Sequence, residues 1–254
     1  VGTKRDNNQF LENINAPSDL KKLNNTELIE LSSEIRDYMI KTVSQNGGHL
    51  SSNLGVVELS VALHKVFDSP NDKIVWDVGH QVYAHKLITG RYKSFPTLRK
   101  EKGISGFCAP NESEHDTFYS GHSSTSISAA LGIAEANKSL NKDDYTIAII
   151  GDGALTGGLA YEALNNAGRA GDGTRLIVVL NDNEMSISPN VGSMSRYLGR
   201  IRIAKSYLNL KKKTKIAFSK IPFISNYLTD LASKTKKIVK RILIGNTIFE
   251  NLGI

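Results

Sequence analysis

The sequence predicts an α/β fold with a mainly parallel sheet flanked by helices. Two short apolar runs, residues 145–150 and 176–180, are rich in β-branched residues and indicate buried strands. Between them, apolar residues recur at helical spacing from Leu155 to Ala167, and glycines end that pattern. A strand, a helix and a second strand form a βαβ unit, in which we expect parallel strands and a right-handed crossover.

Polar residues follow both strands of this unit. The run GDG occupies residues 151–153, and the run NDN occupies residues 181–183. Ligands of open parallel sheets bind at the carboxyl ends of the strands, so both runs are candidate site segments. A glycine turn that leads into a helix favours an anion such as phosphate, because free N–H groups and the helix dipole point toward it.

Asp152 conflicts with a bare phosphate in this turn, because its carboxylate would repel it. A divalent cation removes the conflict. The carboxylate of Asp152 and the side-chain oxygen of Asn181 are hard ligands suited to Mg²⁺, and the backbone carbonyl of Asn183 could supply a third. The sequence therefore predicts a Mg²⁺-bridged diphosphate. The alternative is an ordinary strand-to-helix turn, since a Walker loop would need a lysine and a dinucleotide fingerprint a glycine at Thr156.

These motifs also carry a resemblance. GDG, a helix of this length and an asparagine at the next strand end resemble the thiamine diphosphate signature of the transketolase superfamily. The runs GDGALTGGLAYEALNNAG and LNDNEMSISPNVG resemble the 1-deoxy-D-xylulose-5-phosphate synthase family. The resemblance covers the chain from about Phe10 to Ile254. It implies thiamine diphosphate and Mg²⁺ as cofactors, on a thiamine diphosphate-binding, transketolase-like fold, with Gly153, Ala154 and Asn181 among the cofactor contacts.

His49 lies in a polar segment, residues 49–55, between a predicted helix at residues 25–44 and another that starts at Val56. The residues leave two interpretations open, an acid/base or substrate contact and a simple helix cap. The run GGHLSSNLGVVELSVALHKVF resembles the family's catalytic-histidine segment, which implies that His49 is catalytic. His64, inside the second helix, is expected to be structural or on the surface.

His80 follows a predicted strand, residues 73–77, and so faces the same edge as Asp152. The run WDVGHQVYAHKLITGR resembles the family's cofactor-contacting segment, which implies that His80 contacts thiamine diphosphate. A short helix is predicted over residues 81–88, and His85 within it is expected to be structural.

Residues 121–126, with the sequence GHSSTS, form a second potential anion-binding helix start, because a glycine and several hydroxyls precede a buried helix. The run HDTFYSGHSSTSISAALGIA resembles the family, which implies that Gly121, His122 and Ser123 contact the cofactor. The same resemblance makes His122 a catalytic candidate that also meets substrate. Residues 112–116 lack a second histidine or cysteine at ligand spacing, so a solvated loop is favoured there over a metal site.

The composition excludes several classes of protein. The 254 residues are 40% hydrophobic and 22% charged, as in an ordinary globular protein, and no apolar run approaches the length of a membrane span. Cys108 is the only cysteine, which excludes an intrachain disulfide and suits a reducing compartment, so a cytoplasmic location is expected. We expect Cys108 to be a small core or loop residue.

The net charge of +7 is concentrated at one end. Residues 200–254 hold 13 Lys and Arg against two acids, whereas residues 1–199 hold 19 against 23. Residues 200–245 therefore predict basic, amphipathic helices, with three interpretations: a solvated face, a lid over the site, or a patch for nucleic acid or a membrane surface. The family's corresponding segment is a mobile connection, which favours the lid. We expect no nucleic-acid partner, because no aromatic stacking platform accompanies the charge, and no membrane partner.

The resemblance implies decarboxylative condensation of pyruvate with D-glyceraldehyde 3-phosphate, in the synthesis of isoprenoid precursors, thiamine and pyridoxal, by a homodimer. Residues 1–254 would form the diphosphate-binding domain, and the family's pyrimidine-binding and C-terminal domains are not among them. The remaining domains, or a second chain, would then complete the site. Two other functions stay open: the diphosphate-binding subunit of a split transketolase and a non-catalytic binding module.

Overall fold

The computed structural model describes residues 10–171, residues 173–182, Phe249 and Leu252. The described residues up to 182 belong to a compact unit of residues 1–185, and Phe249 and Leu252 belong to a second unit of residues 186–254. Within the second unit the Leu252 N–H donates to the Phe249 carbonyl at 3.1 Å. Asn183 and the basic segment at residues 200–245 lie outside the described residues, and the expectations for them stay predictions.

A parallel sheet lies at the centre of the first unit. Its described strands, in spatial order, are β1 (Lys73–Trp76), β2 (Thr146–Gly151) and β3 (Leu176–Asn181). Both strand pairs are parallel. The sequence therefore predicts the α/β class and the strands correctly. The burial of β3 is overestimated, since each of its residues is only partly buried at the edge of the described sheet.

Helices flank the sheet. Within the described residues they are α1 (Pro17–Leu20), α2 (Asn25–Asn46), α3 (Leu50–Leu54), α4 (Val57–Val66), α5 (Tyr83–Lys86), α6 (Ser126–Ser139) and α7 (Gly158–Ala167). Helix α2 starts with a capping box, in which the Asn24 side chain accepts from the Glu27 N–H and the Glu27 carboxylate accepts from the Asn24 N–H. Of the helices described, none has both the length and the apolar character that crossing a bilayer requires.

Two segments differ from their predicted structure. Residues 49–55, predicted as a loop, contain the short helix α3, which the bond from Asn53 Nδ2 to the His49 carbonyl at 2.6 Å stabilises. The helix after the GDG turn begins only at Gly158, because Ala154–Thr156 form a 3₁₀ turn first. Turns of this kind depend on side-chain bonds and local packing, and hydrophobic spacing does not report either.

The hydrophobic core lies between the sheet and helices α2, α4 and α5. Trp76 of β1 is 2% exposed, and Tyr83 and Phe95 are fully buried with their rings 6.1 Å apart. The helical spacing of α2 correctly predicts which of its residues face the core. The apolar residues of this helix that are buried there are Leu31, Ile35, Met39 and Val43. Cys108 joins this core as a free thiol, as expected.

A buried ion cluster occupies residues 112–116 and helix α5, where the sequence predicts a solvated loop. Asp116 is 2% exposed and accepts two bonds from the Arg91 guanidinium, at 2.7 and 2.9 Å. Lys86, fully buried, donates to Glu112 at 2.7 Å. The prediction fails because Arg91 and Lys86, which neutralise these acids, lie 25 and 26 residues away in sequence.

Two buried histidines adjoin this cluster. His85 bonds Asp116 through Nε2 at 2.9 Å, and its Nδ1 lies 2.9 Å from His64 Nε2. Both rings are fully buried, which confirms the structural role expected of His85 and shows that His64, expected to be structural or on the surface, lies in the interior. Burial lowers the pKa of His64 well below its usual range and lowers the pKa of His85 to about 4. Two carboxylates balance two cations in the cluster, so the histidines remain neutral at neutral pH.

We predict that the folded chain loses stability as the pH falls below about 6.5. The unfolded chain protonates these histidines near that pH, whereas the folded unit keeps His64 and His85 neutral, so each contributes a loss of about 1.4 kcal/mol per pH unit. Urea unfolding between about pH 7 and pH 5 measures the slope. His64→Gln keeps a donor toward His85 but cannot titrate, so its slope should be shallower. An unchanged slope would contradict the neutral burial of His64.

Candidate active site

Polar turns meet at the carboxyl edge of the sheet. Residues 77–80 follow β1, residues 152–154 follow β2, and Asp182 follows β3. Because the three strands run parallel, their carboxyl ends share this edge. The edge therefore holds most of the residues that the sequence singles out.

Asp152 and Asn181 lie beside each other at this edge, as predicted from the βαβ unit. Gly151 pairs with Asn181 in the β2–β3 register, and the Asp152 N–H donates to the Asn181 carbonyl at 3.2 Å. Both residues are partly exposed. No group of three or more His, Cys, Asp or Glu side chains suited to a metal occurs among the described residues. A site of one carboxylate, one amide oxygen and one carbonyl belongs to a different class, which suits Mg²⁺.

His49 and His80 face each other at the same edge. Their ring centroids are 5.4 Å apart in an edge-on arrangement, and the centroid of the Phe107 ring lies 5.9 Å from that of His49. Burial, followed by the charge of Arg99, lowers the pKa of His49. Burial, followed by the neighbouring His49, lowers the pKa of His80. Both imidazoles are therefore mainly neutral near pH 7 and able to accept a proton.

Asn53 joins the two histidine segments, and sequence reasoning missed it. Its Nδ2 donates to the carbonyls of His49 and His80 at 2.6 and 2.7 Å, and its Oδ1 accepts from the Tyr83 N–H at 2.8 Å. The side chain is fully buried. The available signal is an asparagine between Leu50, Leu54 and the apolar run that follows, since a polar residue in an apolar pattern needs internal partners.

The start of helix α6 is already occupied by an anion of the chain itself. Asp77, which is 1% exposed, accepts from the Ser124 N–H at 2.8 Å and from the Ser126 N–H at 3.0 Å. These two N–H groups are therefore not available to a phosphate. The prediction that this helix start binds an external anion is wrong for the N–H groups of Ser124 and Ser126. Asp77 directly follows β1, and the rule that selects Asp152 at a strand end would have selected it too.

The cofactor contacts predicted on this segment lie on its outer side. Gly121, His122 and Ser123 are exposed, whereas the next residue, Ser124, is buried. The Ser124 hydroxyl donates to the Ala154 carbonyl at 2.7 Å. This bond brings Ser124 next to the residue that follows the GDG turn, and the part of residues 121–123 in binding stays a prediction.

Three observations fit this edge to a Mg²⁺-diphosphate group. A Cβ added at Gly151 or Gly121 would meet no atom of the described residues within 4 Å, so these residues leave room for a ligand beside both glycines. His80 Nδ1 is buried without a hydrogen-bond partner among the described residues. The donor set of Asp152 and Asn181 is of the oxygen type that Mg²⁺ prefers.

Comparisons with known proteins find sequence relatives in one enzyme family. The family model of 1-deoxy-D-xylulose-5-phosphate synthase matches residues 11–254. The chain is 55% identical over 245 residues to the synthase of Heliobacterium modesticaldum and 54% identical over 246 residues to that of Alkaliphilus oremlandii. The matches cover 96% of this chain but only 38% and 39% of those relatives.

Solved structures resemble the fold. A transketolase from Leishmania mexicana superposes with a TM-score of 0.57 at 22% identity, over 63% of this chain and 28% of that one. A transketolase mutant from Pichia stipitis gives a TM-score of 0.55 at 24% identity, over 61% and 27%. The predicted transketolase-like fold is confirmed.

We predict that Asn53→Ala raises the pKa values of His49 and His80 toward their ordinary range, because both segments lose the amide that packs them together. The free energy of unfolding should fall by about 2 to 3 kcal/mol, since two carbonyls and an N–H lose their partner. Histidine ring signals followed by NMR against pH measure the first effect, and urea unfolding measures the second.

Asn46→Ala is the matched control for this variant. Asn46 Nδ2 also donates to two carbonyls, of Pro96 and Leu98 at 2.9 and 3.2 Å, but it lies at the end of α2. The Asn46→Ala variant should have a lower free energy of unfolding, and the pKa values of His49 and His80 should stay as in the wild type. Equal pKa values in the Asn53 variant and the wild type would refute the role given to Asn53.

Proposed function

The chain belongs to the 1-deoxy-D-xylulose-5-phosphate synthase family, and from this premise we propose that its first unit binds the Mg²⁺-diphosphate end of thiamine diphosphate. The enzyme would condense pyruvate with D-glyceraldehyde 3-phosphate, releasing CO₂ and giving 1-deoxy-D-xylulose 5-phosphate. The observation that carries the proposal is the pairing of Gly151 with Asn181, because it brings the backbone of Asp152 and Asn181 together at one end of the sheet.

Each predicted ligand has a distinct task in this proposal. Asp152 and Asn181 would hold Mg²⁺ through side-chain oxygens, with the Asn183 carbonyl as a third ligand. Gly153 and Ala154 would approach the diphosphate with their backbone, because Gly153 is exposed and Ala154 is half-exposed in this turn.

The exposed residues Gly121, His122 and Ser123 would contact the same group from the other side of the edge. Their position next to Ala154, set by the Ser124 hydroxyl, supports this assignment.

Thiamine diphosphate, when bound, supplies the carbon nucleophile and the electron sink that decarboxylation of a 2-keto acid requires. The chain's own contribution is orientation and proton transfer. His49 and His80, with lowered pKa values and rings 5.4 Å apart, are suited to accept protons near neutral pH. His122, exposed beside Ser123, is proposed to meet substrate.

The whole reaction extends beyond these residues. The chain spans about 38% of the length of the curated relatives it matches. We propose that the remaining domains of the same enzyme, or a second chain, complete the site, and that the enzyme acts as a homodimer in the cytoplasm. Turnover by the 254 residues alone should accordingly be slow, and robust formation of product from pyruvate and D-glyceraldehyde 3-phosphate would contradict this expectation.

We predict Mg²⁺-dependent binding of thiamine diphosphate to the chain. Asp152→Ala should abolish it, because the remaining neutral oxygens hold Mg²⁺ too weakly beside a diphosphate. Calorimetric titration of millimolar-range thiamine diphosphate, with Mg²⁺ and with EDTA in its place, measures the effect.

Asp143→Ala is a suitable control, since Asp143 is exposed and pairs with Arg175 at 2.7 Å on another part of the surface. It should bind as the wild type does. Binding that persists in Asp152→Ala, or that ignores Mg²⁺, would reject the proposed metal site. A far-UV circular dichroism spectrum of each sample separates lost binding from lost folding.

A further inference from the structure

Ser124 is the one described residue that bonds both to the end of β1 and to the turn after β2. Its N–H donates to Asp77 Oδ1 at 2.8 Å, and its hydroxyl donates to the Ala154 carbonyl at 2.7 Å. Asp77 Oδ2 accepts a hydrogen bond from the Ser126 N–H at 3.0 Å. We refer to these three bonds as the Asp77–Ser124 linkage. It connects the segment before α6 to the two turns that follow β1 and β2, which strand pairing alone does not do.

Both residues of the linkage lie in the interior of the unit. Asp77 is 1% exposed and Ser124 is 6% exposed. The Asp77 N–H donates to the Ile149 carbonyl at 2.8 Å, so the carboxylate that receives residues 124 and 126 is itself aligned with β2. A carboxylate that accepts two backbone N–H groups fixes both the position and the direction of the segment that carries them.

Two further observations indicate that the linkage requires a strained backbone and tight local packing. Ser124 adopts a φ of 71°, a left-handed conformation that L side chains other than Asn and Asp rarely adopt. A Cβ at Gly157 would meet the Ser124 hydroxyl at 2.2 Å, so the turn after β2 accepts the serine only because residue 157 has no side chain. A strained backbone that surrounding contacts hold in place is typical of functional sites.

The linkage divides its segment into an inner and an outer half. Ser124 and Ser126 are buried, whereas Gly121, His122 and Ser123 are exposed at the carboxyl edge. Moving Ser124 would therefore move the exposed residues relative to the GDG turn.

We propose that Asp77 and Ser124 are positioning residues, which set the distance between the exposed residues 121–123 and the turn at residues 152–154. This inference rests on the proposed function, because those two segments are the ones proposed to contact the diphosphate. Neither side chain touches the ligand in this scheme. Their role is to present two halves of one binding edge in a fixed relation.

The test uses variants that separate positioning from stability. Ser124→Gly removes the hydroxyl and also relieves the left-handed backbone, so the thermal midpoint should change little. Ser124→Ala removes the hydroxyl and keeps the strain. Asp77→Asn leaves one of the two N–H groups facing an amide N–H₂ instead of an oxygen. All three should bind thiamine diphosphate with saturating Mg²⁺ about tenfold more weakly or worse.

Ser60→Ala is the matched control. The Ser60 hydroxyl is also buried and also donates to a backbone carbonyl, of Val56 at 2.8 Å, but it lies in α4. The Ser60→Ala variant should have a lower thermal midpoint than the wild type and bind thiamine diphosphate with the wild-type affinity. Hydrogen–deuterium exchange of the peptide that covers residues 119–127 gives a readout without ligand, and Asp77→Asn should speed its exchange.

The possible results separate the two proposals. Weaker binding in Ser124→Gly at an unchanged thermal midpoint supports the positioning role. Wild-type affinity in Ser124→Gly and Asp77→Asn, with faster exchange in the latter, would overturn it and leave the proposed function intact. Failure of the folded wild type to bind thiamine diphosphate with Mg²⁺ would overturn the proposed function itself, and this inference with it.

Discussion

Parallel pairing of three strands is the constraint on which the polar edge depends. The register that sets Gly151 opposite Asn181 brings two strand ends level, and the pairing of β1 with β2 brings a third to the same side. Side chains after parallel strands must then share one edge, whatever loops follow. Asp152 is beside Asn181 for this reason, and the chain needs no special contact to bring them together.

Strand pairing does not position the segments between the strands, and buried polar side chains do this instead. Asn53 joins the His49 and His80 segments, Asp77 and Ser124 hold the start of α6, and Asp116 anchors the loop before it through Arg91. Each of these side chains is nearly or fully buried and bonded. Irregular backbone near a sheet edge must satisfy its N–H and C=O groups, and these residues satisfy them while fixing the shape of the edge.

The sequence predicts what local pattern determines. Apolar runs give β1, β2 and β3, helical spacing gives the buried face of α2, and the order of elements gives the adjacency of Asp152 and Asn181. It does not predict Asn53, Asp77 or Ser124 as structural residues. Their partners lie 27, 47 and 30 residues away, and only the folded chain reveals them. The same distance explains why residues 112–116 look solvated in sequence although Asp116 is buried against Arg91. The tasks of Asn183 and of residues 200–245 stay predictions, because both lie outside the described residues.

Anomalous X-ray diffraction from crystals of the chain soaked with Mn²⁺ and thiamine diphosphate would test the central claim most directly, since Mn²⁺ takes the same oxygen ligands as Mg²⁺ and scatters anomalously. We expect one strong peak within coordination distance of the Asp152 carboxylate and the Asn181 side-chain oxygen, with the diphosphate beside it. A diphosphate bound elsewhere, or a peak that avoids both residues, would contradict the assignment of this edge as the Mg²⁺-diphosphate site.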